Sequence, residues 1–292
     1  MKQIVSLLVI AFFAMTSLNA SPLSPTTSKP LDMSIYEAIN KAGYQRMLTQ
    51  RIAKSYMIVL SNLDPIKHKE HLKGSARLFE SNLKELNEYA PTDEIKNQFR
   101  YVEILWRNYK FIYSDDFSEE NALIIFKFND KILKACNDAV TLLEEYAVAQ
   151  TANKDQEMID DKNGLSNVIN VSGRQRMLSQ RMLFFTVTKF SKIGDEEALN
   201  RKFSEALGLF NSSLKELISN AENTEEIDTE LLDIANSWEK VESNILSVMN
   251  AGEITVQEKD KLIDALKLSE QVLFSLDEVV FLYERVAESK KK

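Results

Sequence analysis

The chain has 292 residues with 36 basic and 44 acidic side chains, a formal net charge of −8. That acidity excludes a general nucleic-acid binder, which needs a basic face. A single cysteine, Cys136, excludes an intrachain disulfide, and its apolar neighbours Ile132, Ala139, Val140 and Leu143 mark it as a small buried side chain.

The first twenty residues read as a secretory signal peptide (1–20). Lys2 precedes an apolar run from Ile4 to Met15, and Ala20 supplies the small residue before the cut. A run of about 12 residues is short of the roughly 20 that span a bilayer. The mature chain is therefore expected to be soluble and periplasmic or secreted. Loss of Lys2 leaves 35 basic against 44 acidic residues, a charge of −9. Residues 21–33, with Pro22, Pro25 and Pro30, read as a flexible leader.

Beyond Pro91 there is no proline, and apolar residues recur at helical spacing. Leu78, Phe79, Leu83 and Leu86 show it, as do Ile104, Leu105 and Phe111 around Trp106, and Val272, Leu276, Val279, Val280 and Tyr283. Breaks fall at Asn62–Pro65, Ala90–Asp93, Ser114–Ser118, Ile193–Asp195, Asn223–Glu225 and Ala251–Thr255, with Asp93, Ser118 and Thr255 as candidate N-caps. Three breaks per half give four helices each. The expected fold is all-α, two tandem antiparallel four-helix bundles over 34–152 and 160–289. The polar junction from Gln150 to Gly164 fits a loop and a continuous helix equally.

The two halves are copies. Asn40-Lys-Ala-Gly-Tyr-Gln-Arg-Met-Leu-Thr-Gln-Arg51 returns as Asn170-Val-Ser-Gly-Arg-Gln-Arg-Met-Leu-Ser-Gln-Arg181. Downstream, Phe79 matches Phe210, Trp106 matches Trp238, and Asp138-Ala-Val140 tracks Asp277-Glu-Val279. The offset drifts from 130 (40 to 170) to 139 (138 to 277), as loop insertions between preserved helices would produce.

The repeated segment is polar where a core repeat would be apolar. Taken as helix, Gly43, Arg46, Met47 and Gln50 share one face, as do Gly173, Arg176, Met177 and Gln180. Arg51 lies about 140 degrees from Arg46, so Arg51 and Arg181 are expected to make bundle contacts. A helical glycine costs about 1 kcal/mol against alanine, which close approach of a helix or ligand would justify. A guanidinium fork beside such a gap suits an oxyanion better than lysine does. His68 and His71, the only histidines, are read as a solvated helix start and not as a metal site. No phosphate-binding loop, nucleophile elbow or Glu-x-x-His pair points to an enzyme or a cofactor.

Gly43-Tyr-Gln-Arg-Met-Leu-Thr-Gln-Arg51 and its copy Gly173–Arg181 resemble the signature of the PilJ/NarX-type sensor domain, found at the periplasmic end of type IV pilus chemotaxis transducers and nitrate/nitrite sensor kinases. The resemblance implies a four-helix bundle whose first helix carries the motif. It implies that Arg46 and Arg176 bind a small anion such as nitrate or nitrite, with Gly43 and Gly173 allowing close approach. Leu-Thr-Gln and Leu-Ser-Gln after Arg-Met follow the transducer style more than the nitrate-sensor style. The expected function is thus an exported, non-enzymatic ligand-binding protein that presents its bound state to a membrane receptor or chemosensory partner. The alternative is a structural or adaptor bundle of a pilus or chemosensory system. Pairing of the two motif helices within one chain and pairing through a homodimer are both open.

Overall fold

The computed structural model describes residues 33–114, 116–152 and 164–290. The expected signal peptide and nearly all of the leader lie outside the described residues, as does most of the junction between the halves. Among the described residues there are eight α-helices and no strand. They are α1 (Ile35–Leu60), α2 (Pro65–Tyr89), α3 (Asp93–Ser114), α4 (Glu119–Ala152), α5 (Leu165–Phe190), α6 (Glu196–Ile218), α7 (Glu225–Asn250) and α8 (Val256–Ser289).

Local chemistry explains the boundaries. Ser34, Asp64, Asp195 and Thr224 each accept a backbone N–H from the first turn of the helix that follows. Ser118 accepts from Asn121, and Thr255 forms a capping box with Glu258. Asp93 is not the cap of α3. Thr92 is, its Oγ1 accepting from Ile95 N at 3.2 Å, which leaves Asp93 in the first turn where an acid suits the helix dipole. In the turn after α5, Gly194 has φ +79°, and a Cβ there would stand 2.9 Å from the Phe126 ring. Only glycine fits both the backbone conformation and the ring of the other half.

Each half is an antiparallel four-helix bundle, and the halves mirror each other. Gln45 Nε2 donates to the Phe79 carbonyl at 2.9 Å, fastening α1 to α2, and Gln175 donates to the Phe210 carbonyl at 3.1 Å, fastening α5 to α6. Phe79 stacks on Trp106 with ring centroids 4.1 Å apart; Phe210 meets Trp238 at 4.2 Å. The tryptophans thus sit on α3 and α7, the third helix of each half, as the duplication predicts.

The helices belong to one compact unit. Its spine is α1 against α5. Gly43 lies opposite Gly173, and the hydroxyls of Ser61 and Ser191 meet at the far end, so the two helices run parallel at a register of 130. A pseudo-two-fold axis therefore passes between them. Helices α4 and α8 flank this pair, and each touches both α1 and α5.

Two expectations about faces fail. Leu78, Ile104 and Phe111 are 41%, 58% and 76% exposed. The core side of α3 keeps the expected Leu105 and Trp106 and is completed by Phe99, Val102, Tyr109 and Tyr113. His68 is not solvated: it is buried, and burial with Lys54 nearby pushes its imidazole down to about 3. Cys136 is buried as expected, and burial raises its thiol to about 12, against a small opposing pull from Arg46.

Candidate functional site

The motif helices place their polar faces against each other. Arg46 is fully buried and Arg176 is 2% exposed. A buried cation is tolerated only with partners, and each arginine has a set contributed from both halves. Arg46 Nη1 donates to Asn137 Oδ1 (3.1 Å) on α4 and Nη2 to the Asn170 carbonyl (3.2 Å) on α5. Arg176 Nη1 donates to Asp277 Oδ1 (2.9 Å) on α8 and Nη2 to Asn40 Oδ1 (2.6 Å) on α1. Each arginine thus holds the fourth helix of its own half and the motif helix of the other.

Gly43 and Gly173 let this happen. A Cβ on Gly43 would lie 3.2 Å from Arg46 Nη2 and 3.9 Å from Arg176 Nη2; on Gly173 the distances are 3.2 Å to Arg176 and 3.7 Å to Arg46. Both guanidinium ends therefore converge on one spot between two helix backbones. Among the described residues, Nε of Arg46 and Nε of Arg176 are buried donors without an acceptor. So is Nε of Arg174, which stands where the first half has Tyr44. Tyr44 lies against the other guanidinium, its ring centroid 4.8 Å from Arg176 Cζ.

The charges are unequal across the axis. Asp277 neutralises Arg176, whereas its counterpart beside Arg46 is the neutral Asn137. Burial, and then Arg174, lower Arg46 to about 9, with Glu144 opposing and Arg176 adding to the fall. Further out, Asn170 Nδ2 donates to Glu144 Oε2 (2.6 Å), and Asn40 faces Glu284. Two buried guanidiniums whose Nε–H groups lack acceptors among the described residues, and whose Nη2 ends converge between two glycines, can take an oxyanion through charge-assisted hydrogen bonds.

Of the eight residues expected at the site, Gly43, Arg46, Gly173 and Arg176 come together. Met47 and Met177 belong to the apolar core. Gln50 bonds Thr49 and accepts from Arg181 Nη1 at 3.2 Å, while Gln180 is fully buried with neither polar atom bonded among the described residues. Thr49 and Ser179 alternate in the motif because each hydroxyl returns to the carbonyl three residues back, Arg46 or Arg176, at 2.8 Å.

Asn40, Asn170, Asn137, Asp277, Glu144 and Glu284 were not singled out from the sequence. The two asparagines are repeated in the motif and carried a usable signal. The rest were hidden by register. The fourth helices correspond at an offset of 140 and not 139, which pairs Asn137 with Asp277, Asp130 with Glu270 and Glu144 with Glu284.

The family model described as the type IV pili methyl-accepting chemotaxis transducer N-terminal domain, PilJ, matches residues 35–112 and 158–263, more than half of the chain. The chain belongs to the PilJ family. The two matched segments begin in or just before α1 and α5, so each contains one copy of the motif. No curated protein and no solved structure matches the chain. PilJ domains are sensory parts of chemotaxis transducers, a signalling role. No described helix is long and apolar enough to cross a membrane.

Proposed function

We propose that the chain is an exported sensor protein that binds one small oxyanion between Arg46 and Arg176 and presents the bound state to a membrane-bound chemosensory partner. The observations that support this reading are the buried Nε donors of both arginines, which lack acceptors among the described residues, and the convergence of their Nη2 ends between Gly43 and Gly173. An unsatisfied buried donor costs about 1–3 kcal/mol, and an anion in reach of both would remove that cost. The innermost charges, Arg46, Arg176 and Asp277, sum to one positive charge, which suits a monovalent anion such as nitrate or nitrite. A melting-point screen of the mature chain against nitrate, nitrite, chloride and sulfate tests this. An anion at 100 times its Kd should stabilise by about 2.7 kcal/mol. Absence of any shift at millimolar anion overturns the reading.

One observation favours a second reading. Nη1 and Nη2 of both arginines already have protein acceptors, so the pair also serves as a clasp between α1 and α5. In that case the protein is an adaptor whose exposed helices meet partner helices, and no anion shifts the melt.

A further inference from the structure

We propose that anion capture at the arginine pair is linked to proton uptake by Glu284 and Glu144, so that the site binds more tightly as pH falls. This rests on the anion-binding reading above and adds its regulation.

The geometry is a relay on each side of the pseudo-two-fold axis. On one side, Glu284 faces Asn40, whose Oδ1 accepts from Arg176 Nη2. On the other, the side-chain amide of Asn170 donates to Glu144, and its backbone carbonyl accepts from Arg46 Nη2. Both carboxyls cross between the halves: Glu284 on α8 reaches α1, and Glu144 on α4 reaches α5. Together with Asp277 they face three guanidiniums, Arg46, Arg174 and Arg176. With all three carboxyls ionised the cluster is neutral and offers an anion little. With Glu144 and Glu284 protonated it carries two positive charges.

The surroundings favour protonation. Glu284 faces Asn40 and Glu37 on α1, Arg176 on α5 and Glu288 on its own helix; burial raises its carboxyl to about 7, against the pull of Asn40 and Arg176. Its Oε1 is buried with no partner among the described residues, a position that suits a neutral carboxyl. Glu37 is itself bridged to Lys41, which also binds Glu85 on α2. Glu144 faces Arg46 on α1, Asn170 and Arg174 on α5 and Glu145 on α4, and burial again raises it. Glu144 also lines a surface groove with Glu145, Ser166 and Asn167, which gives protons a path from solvent. A negative charge placed between the arginines disfavours a second one on either glutamate, so binding draws a proton in.

The test is calorimetric titration of the mature protein with nitrate, and with nitrite in parallel, at pH 6, 7 and 8 in two buffers of different ionisation enthalpy. Proton linkage predicts Kd about tenfold tighter at pH 6 than at pH 8, the effect of a one-unit rise in a carboxyl pKa on binding. It also predicts net proton uptake near pH 7. Glu284→Gln should bind at pH 8 nearly as tightly as wild type does at pH 6. Binding with the same Kd at all three pH values and no proton uptake overturns the linkage while leaving the anion site standing. No binding of either anion at any pH overturns both. The buffer comparison on the wild type decides the matter even if Glu284→Gln does not fold.

Discussion

Arg181 of the second half ion-pairs with Asp130 of the first at 2.7 Å, and so joins two helices that the duplication assigns to different bundles. Arg51 repeats the crossing in the other direction, reaching Glu270 at 2.6 Å. The second arginine of each motif is therefore a further tie between halves, beside the first, whose Nη2 end lies between Gly43 and Gly173. Arg181→Ala should cost on the order of 2 kcal/mol, the value of a charge-assisted bond, and lower Tm by roughly 4–8 °C. Thermal melts monitored by circular dichroism check this; an unchanged Tm would show that the Arg181–Asp130 tie contributes little to holding the halves together.

Lys54 is fully buried and bonds Glu270 at 2.8 Å. Glu270→Gln leaves that ammonium without a counter-charge and should destabilise by about 3–5 kcal/mol. The double variant Lys54→Met with Glu270→Gln should recover much of the loss. Chemical denaturation of the two variants checks it, the order of their midpoints being the readout.

Two glutamates should contribute to the pH dependence of stability with opposite sign. Burial alone would raise Glu270, but Lys54 and Arg51 outweigh it and hold the carboxyl at about 2. Its folded pKa lies below the unfolded value of about 4.3, so its contribution is present above pH 4.3 and is lost as pH falls toward 2. Glu284 has the opposite sign. Its folded value of about 7 lies above the unfolded one, so its contribution is complete below pH 4.3 and is lost as pH rises through 7. His68, held at about 3 by burial, acts against Glu284 between about pH 6.5 and 4.3, so the glutamates are read as differences from wild type. Relative to wild type, Glu284→Gln should gain stability as pH rises from about 4.5 to 7, and Glu270→Gln should lose less as pH falls from about 4 to 2, both read by denaturant melts across pH.

Gly43→Ala should separate binding from folding. The added Cβ meets Arg46 Nη2 at 3.2 Å, the end of a side chain that can yield by a few tenths of an ångström. The helix gains up to about 1 kcal/mol of propensity, so Tm should move little. The methyl nevertheless sits where both guanidiniums converge, and nitrate affinity should fall at least tenfold, as read by calorimetry. Gly173→Ala should behave alike.

The eight helices, their breaks and the duplication were legible because Pro, Gly and capping residues punctuate the chain and because a polar motif repeats in register. The pairing of Arg46 with Arg176 was legible only as one of two options, since a sequence does not distinguish an internal pair from a homodimer. The carboxylates around them were not legible. Helix α8 is shifted by ten residues against the motif register, and acids at 130, 144, 270, 277 and 284 look like any solvated helix face until α4 and α8 are seen against both α1 and α5. The side of α3 that faces the core was legible in part: Leu105 and Trp106 are buried as expected, but Ile104 and Phe111 also sit at helical spacing, and only packing tells them from Phe99 and Val102.

On the proposed reading, the two motif copies form a single anion site inside one chain. Calorimetric titration of monodisperse protein with the stabilising anion tests it most directly, read together with sedimentation of the same sample and with the variants Arg46→Gln and Arg176→Gln. One anion per chain, a stoichiometry independent of protein concentration, and loss of binding in either variant are the predicted results. Two anions per chain, binding that appears only with dimerisation, or a variant of either arginine that still binds as wild type does would contradict it.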